Sequence, residues 1–268
     1  MTSITSIGDI PSNYHCHKRL YKLVWGDYNC PKCNKSRIIF RNSYEWCPHC
    51  RKKFSVKKET FFRHSKLSYK TLYTLVWCWQ NKWTISEVRK AINLSYYTIR
   101  KWYKKFRLQL PNDNTKLYGE VEVDESFFGK LRFGRQRLVI GAIERHSRHI
   151  KLRIVTDCTR TTVEDFITHS IAEGSLVATD GLDSYNEVHL LGYEREDCNH
   201  SLGIFGPTNH IENLWSVIKR QIRRIHNTLS FSYQDLANIL KEYELRHNRP
   251  ELFYNVDNYL FYCSALLH

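Results

Sequence analysis

The sequence predicts an α/β protein: a mixed β-sheet layered with helices, preceded by a small metal-bound ribbon and a helix-turn-helix. Three observations predict it. Two Cys-x-x-Cys pairs, Cys30/Cys33 and Cys47/Cys50, lie near the N-terminus. Two short helical patterns follow, joined by a tight turn at Asn93-Leu94. From residue 116 onward, strand patterns interleave with helical ones.

Charge divides the chain in the same place. Residues 1–115 hold 23 basic and 6 acidic side chains, whereas residues 116–268 hold 18 and 21, within a formal net charge of +14. A basic module beside a nearly neutral one points to a part that binds nucleic acid and a part that does chemistry. No run of about 18 apolar residues occurs, so no membrane span is expected. The first eleven residues lack a charged start and an apolar core, so they do not read as a secretory signal. An intracellular setting is expected, nuclear in a eukaryotic host and cytoplasmic or nucleoid in a bacterial one.

Residues 1–25 form an N-terminal segment with a short amphipathic helix over 14–25. The ribbon spans 26–62. Each Cys-x-x-Cys turn presents two thiolates, and four thiolates complete a closed tetrahedral site for one structural Zn2+. Strands are expected over 37–41 and 44–46, in a ribbon too small to hold itself without metal. Cys78, Cys158, Cys198 and Cys263 are isolated and read as small buried residues. Residues 63–111 form the helix-turn-helix region. Ser68 caps a helix running to about Asn81, with Leu72, Leu75, Val76 and Trp79 on one stripe. Over 84–102, Val88, Ala91, Leu94, Ile99 and Trp102 are the packed positions and Ser95 caps the second helix. That helix exposes Tyr96, Tyr97, Arg100, Lys101, Lys104 and Lys105, a mix of groove-facing and phosphate-facing side chains.

Leu110-Pro111-Asn112-Asp113-Asn114-Thr115 reads as a linker, and a second domain follows over 116–268. Strands are expected at 117–128, 138–144 and 149–156, then a helix at 161–172 and a buried strand at 176–179. A short helix at 183–190, a strand at 192–196, and helices at 209–226 and 232–248 complete the order, with a mixed tail after Pro250. Three strands, helix, strand, helix, strand, helix is an α/β layered domain with a mixed sheet, of ribonuclease-H type.

Three acidic stretches stand out. Glu120-Val121-Glu122-Val123-Asp124-Glu125 alternates acid and valine, Val177-Ala178-Thr179-Asp180-Gly181 ends an apolar strand in an acid, and Asn209-His210-Ile211-Glu212-Asn213-Leu214-Trp215 opens a helix. Two strand carboxylates and one on a neighbouring helix can hold a pair of Mg2+ (or Mn2+) ions, since such hard cations take oxygen ligands and substrate phosphate supplies the rest. A two-metal site suits in-line displacement at a phosphodiester. Glu120 and Glu122 share the strand face of Asp124, which makes Glu122 a candidate supporting ligand. Lys219 follows Glu212 by seven residues, about 10 Å further along one helix face, where it could grip a DNA phosphate.

Val121-Glu122-Val123-Asp124-Glu125-Ser126-Phe127-Phe128-Gly129 resembles the first catalytic motif of ISXO2-like transposases, an insertion-sequence family with eukaryotic relatives in the Merlin transposons. The likeness extends through Gly141-Ala142-Ile143-Glu144-Arg145, Thr179-Asp180, Asn199-His200-Ser201 and Asn209-His210-Ile211-Glu212-Asn213-Leu214-Trp215-Ser216, and covers about residues 25–230. The resemblance implies a DDE-type transposase that cuts at the element's ends, releases a 3′-hydroxyl and joins it to target DNA. It implies Asp124 and Asp180 as metal-binding aspartates and a third residue that is Glu or Asn in relatives. Here Glu212 and Asn209 both qualify, and Glu212 is preferred because a carboxylate binds a divalent ion better than an amide. His200 matches a family histidine near the site. The implied partners are double-stranded DNA, as element ends and target, and a second copy of the chain. Two rivals are a catalytically silent, domesticated DNA-binding regulator, against which the intact carboxylate set argues, and a structure-specific nuclease, which has no need of the basic N-terminal module.

Overall fold

The computed structural model describes residues 4–131, 134, 136–179, 183–197, 208–228 and 231–265. Asp180, Cys198 and His200 lie outside the described residues. The chain divides into two compact units, Met1–Leu110 with Pro250–His268, and Pro111–Arg249.

In the first unit, α1 (Asn13–Trp25) starts at Ser12, whose side chain accepts the His15 N–H, and ends at Gly26. Strands β1 (Ile39–Phe40), β2 (Glu45–Trp46) and β3 (Lys53–Phe54) form an antiparallel ribbon. β3 is not among the strands expected from the sequence. Helix α2 (Tyr69–Gln80) is capped by Ser68, and Leu72, Leu75, Val76 and Trp79 are all buried. Helices α3 (Ile85–Ala91) and α4 (Tyr96–Leu108) follow. Thr84 and Glu87 form a capping box on α3, and Ser95 caps α4 by accepting the Thr98 N–H. Val88, Ile99 and Trp102 are buried as expected, but Ala91 is exposed.

The stretch beyond Pro250, expected as a mixed tail of the second domain, holds a further helix and groups with the first unit. This helix, numbered α8 in chain order, covers Val256–Ala265. Tyr259 Oη donates to the Phe106 carbonyl (2.9 Å), and the Gln80 amide donates to the carbonyls of Leu252 and Asn255 (3.0 and 2.8 Å). The domain boundary moves for a physical reason: the apolar and aromatic side chains of this stretch complete the aromatic core around Trp79 and Phe106.

The second unit is built on five strands: β4 (Glu120–Phe128), β5 (Arg137–Glu144), β6 (Ile150–Val155), β7 (Leu176–Thr179) and β8 (Glu194–Asp197). Their order is β6-β5-β4-β7-β8. The hairpin pairs β4/β5 and β5/β6 are antiparallel, and β4/β7 and β7/β8 are parallel. This is the mixed sheet of the ribonuclease-H type. Helix α5 (Arg160–Ser170) covers one face, where Val121, Val123, Ile140, Phe166 and Ile167 form a core. Helices α6 (Asn209–His226) and α7 (Tyr233–Asn248) cover the other, packing Ile211, Trp215, Ile218 and Tyr243 on Phe128, Val139 and Ile143. The segment expected as a helix at 183–190 is instead two single 3-10 turns, Asp183–Tyr185 and Val188–Leu191.

The two ends of this unit are tied together. Asn248 on α7 donates to Asp113 (2.8 Å), and the Lys151 ammonium lies 3.2 Å from Asp113 and 3.1 Å from Glu244. Burial pushes the Asp113 carboxyl up, but Asn248, Thr115 and Lys151 together outweigh it and hold the pKa down at about 2.

Candidate active site

The even-numbered face of β4 and the buried stripe of α6 meet residue by residue. Period two sends Glu122, Asp124, Ser126 and Phe128 to the α6 side and Val121 and Val123 to the α5 core. On α6, Ile211, Leu214, Trp215, Ile218 and Ile222 recur at helical spacing and are buried.

Glu122 is 1% exposed and anchors the start of α6. The helix N-cap, Thr208, makes no side-chain cap hydrogen bond. The backbone N–H groups of His210 and Ile211 donate instead to Glu122 Oε2 (2.9 and 3.0 Å). His210 Nδ1 lies 2.6 Å from Oε1, and Arg145 Nε donates to the same oxygen at 3.1 Å. A carboxylate placed where the helix leaves its first N–H groups unpaired, at the positive end of the dipole, caps the helix through tertiary structure. Both oxygens of Glu122 are therefore engaged by N–H donors. The expectation of Glu122 as a supporting metal ligand gives way to this role.

Asp124 is half-buried and pairs across the sheet with Gly141. Trp215 Nε1 donates to Asp124 Oδ2 at 3.0 Å. The indole rests against β5: a Cβ on Gly141 would sit 2.5 Å from Trp215 Cη2. Gly141 thus makes room for the ring that orients Asp124. Gly141→Ala is expected to cost about 1–3 kcal/mol by overpacking and to lower the Tm by roughly 2–12 °C. A melt that matches wild type would show that Trp215 does not rest there.

One turn further along, Lys219 Nζ donates to Ser126 Oγ (2.6 Å) and lies 5.4 Å from the centre of the Phe128 ring. Burial lowers its pKa, Arg223 lowers it further, and the Asp124 carboxylate opposes both. Lys219 is therefore a placed cation beside Asp124, unlike the exposed Arg220, Arg223 and Arg224 of the same run. Glu212 stands in the first turn of α6, exposed, with the Thr208 hydroxyl donating to it at 3.4 Å. Asn209 is also exposed. Glu122, Gly141 and Trp215 are the site residues whose roles sequence reasoning missed. All lie within motifs quoted above, but their partners are distant in sequence.

Residues 116–248 match the family model described as the ISXO2-like transposase domain. Over that stretch the chain is similar to ISXO2-like transposases. A relative from Halobacterium salinarum, described as an uncharacterized protein in transposable element ISH50, is 26% identical over 114 residues. The match covers 40% of this chain and 39% of that relative, well under half the length of either. Among solved structures, the catalytic core domain of BIV integrase matches with 12% identity and a TM-score of 0.35, over 48% of this chain and 83% of that one. The HTLV-2 integrase catalytic core domain in complex with magnesium (dimeric form) matches with 10% identity and a TM-score of 0.36, over 51% and 90%.

The ribbon brings Cys30, Cys33, Cys47 and Cys50 together, with all four sulfurs within 4.8 Å of one another. Cys30 Sγ lies 3.7 Å from Cys50 Sγ, and Cys33 Sγ 3.7 Å from Cys47 Sγ. Four sulfurs about 2.3 Å from one ion stand roughly 3.8 Å apart in a tetrahedron, so the cluster fits zinc. The residue after each pair, Asn34 (φ 54°) and Arg51 (φ 56°), is left-handed, which lets each turn fold back on its thiolates. Cys78 and Cys263 are buried as expected and their thiols are pushed up to about 12, whereas Cys158 is half-buried.

On α4, Tyr96 (50% exposed) and Tyr97 (73%) project into solvent with Arg100, Lys101 and Lys104. Lys105 differs. It is half-buried with its ammonium 4.9 Å from the Trp102 ring, and burial, then Lys101, lowers its pKa. Among the described residues, no helix is long and apolar enough to cross a membrane.

Proposed function

We propose that this chain is a DDE-type DNA transposase. Its first unit binds the element's ends through the ribbon (26–62) and the helix-turn-helix region (63–111). Its 116–248 domain cuts and joins phosphodiesters. The observation that carries the reading is Asp124, set at the centre of the mixed sheet of an ISXO2-like domain and flanked by the helix that bears Glu212 and Lys219. Two residues beyond the β4/β7 pair Glu122–Ala178, the sequence carries Asp124 on one side and Asp180 on the other. Asp124, Asp180 and Glu212 offer the hard oxygen donors that two Mg2+ or Mn2+ ions require. Such ions activate the attacking oxygen and stabilise the leaving one.

The chain's own groups do the rest. Trp215 fixes one oxygen of Asp124, so the carboxylate is oriented before substrate arrives. Glu122 fixes the start of α6, and with it the height of Glu212 and Lys219 along β4. Lys219 offers its ammonium to a phosphate next to the one being cut, and Asn209 is the alternative third ligand. A dimer or larger assembly on DNA follows from a reaction at two ends.

The test is a labelled duplex carrying the sequences that flank the gene, incubated with the protein in Mg2+ or in EDTA. Metal-dependent nicking that leaves a 3′-hydroxyl supports the reading, and no cleavage under any metal overturns it. Arg100→Ala with Lys101→Ala is expected to shorten the slope of log K against log salt by about two, at roughly 0.9 for each phosphate no longer neutralised. An unchanged slope would place the recognition helix elsewhere.

A further inference from the structure

Helix α1 carries a second cationic surface that the helix-turn-helix does not account for. His15, Lys18, Arg19 and Lys22 recur at i, i+3, i+4 and i+7, so they form one stripe. The opposite side of the helix is sealed, with Cys16, His17, Leu20 and Tyr21 all buried. The stripe is not a convex run of solvated lysines. With Asp9 and Tyr28 it lines a concavity of about 510 Å³.

Three features preorganise it. The Lys18 ammonium lies 4.8 Å from the Tyr28 ring centre and 5.6 Å from that of Tyr14, so its position is set by two aromatic faces. Arg19 is steadied by Asp257 at 3.7 Å. The helix itself is fixed from below: His17 pairs with the fully buried Glu45 of the ribbon and stacks on Tyr69, with ring centres 3.8 Å apart. Asp9, the acid of the lining, already accepts from Thr5 Oγ1 (2.7 Å) and the Ser6 N–H (2.8 Å). Those donors, the Thr5 hydroxyl first, keep its pKa low. Three permanent cations therefore face one committed carboxylate in the lining, with Asp257 beside Arg19 as the second acid.

We propose that this groove binds the phosphodiester backbone of duplex DNA, as a contact separate from α4. The proposal rests on the reading of the first unit as DNA-binding. From His15 to Lys22 the stripe runs about 10 Å at 1.5 Å per residue. At one phosphate per roughly 3.4 Å of axis on each strand, that spans about three phosphates. Because the contacts go to phosphate, they add affinity and register without reading sequence.

The experiment uses the full zinc-loaded chain and a fluorescent 25-base-pair duplex of random sequence, with anisotropy recorded between about 50 and 200 mM salt. Lys18→Ala with Lys22→Ala is expected to weaken binding about tenfold and to shorten the salt slope by about two, with zinc content and helicity unchanged. Adding the Arg100/Lys101 pair should shorten the slope further, since separate contacts release separate counterions. Wild-type binding with an unaltered slope in the α1 variant overturns the groove while leaving the transposase reading in place. A wild type that shows no salt-dependent binding overturns both. If the α1 variant loses affinity only for a polyglutamate probe and keeps its DNA slope, the groove docks acidic protein and the proposal fails.

Discussion

Asp124→Asn, Asp180→Asn and Glu212→Gln are each expected to lower DNA cleavage and strand transfer by at least about a thousand-fold while DNA binding persists. Metal ions contribute several kcal/mol of charge stabilisation to such a displacement, and about 1.4 kcal/mol is a factor of ten. Each substitution keeps the side chain's shape and removes the charge that holds the metal. Asn at position 124 still offers an oxygen to the Trp215 N–H, which donates at 3.0 Å in the native chain, so the helix and sheet keep their seat. Loss of that negative charge leaves Lys219 unopposed, and affinity for DNA should hold or rise. Asn209→Ala separates the two candidates for the third ligand. Normal cleavage by the Glu212 variant together with loss in the Asn209 variant would transfer the role to Asn209. Full activity in all four would remove the metal site from this face of the sheet.

Zinc removal is expected to unfold the ribbon, and its effect should reach α1. Purified protein should carry about one zinc per chain, and Cys47→Ser should lose it, because the fourth thiolate closes the site. Structural zinc contributes about 10–16 kcal/mol in small domains, as much as a whole domain's stability. The ribbon has three two-residue strands to set against that loss. Glu45, in β2, accepts from the Val56 N–H at 3.0 Å and pairs with His17 of α1. A collapsed ribbon leaves the His17 ring buried without its hydrogen-bond partner, which costs about 1–3 kcal/mol more. The measurement is hydrogen exchange with and without chelator: protection at Trp46 and in α1 should fall together. A chelated protein that keeps both would overturn the assignment.

Local signals were legible and distant ones were not. Ser68 and Ser95 announced two helix starts because a cap acts within three residues, and each accepts the expected N–H. The strands of the mixed sheet were legible from alternation and apolar runs, to within a few residues. The β4 face was legible too, since period two puts Glu122 beside Asp124. What Glu122 does on that face was not legible, because its donors on α6 lie 88 and 89 residues away. Gly141 read as one residue of a motif, and its reason is a tryptophan ring from another element. Helix α8 escaped notice because it is apolar on more than one side, so no single stripe marked it. Tyr259, Leu260 and Cys263 are all buried.

The chain leaves its first unit after Leu110 and returns to it at Pro250. On a ribosome, the DNA-binding unit therefore starts first and finishes last. Its aromatic core waits for Tyr259 while residues 111–249 are made, on the order of ten seconds at ordinary elongation rates. In that interval Trp79 and Phe106 lack their closing layer, and the nascent unit is open to chaperones and proteases. The interposed domain has no such wait, since Asp113 and Asn248 bring its own two ends together. Cutting the chain after Arg249 should therefore spare the fold that carries Asp124 and cripple the part that grips DNA.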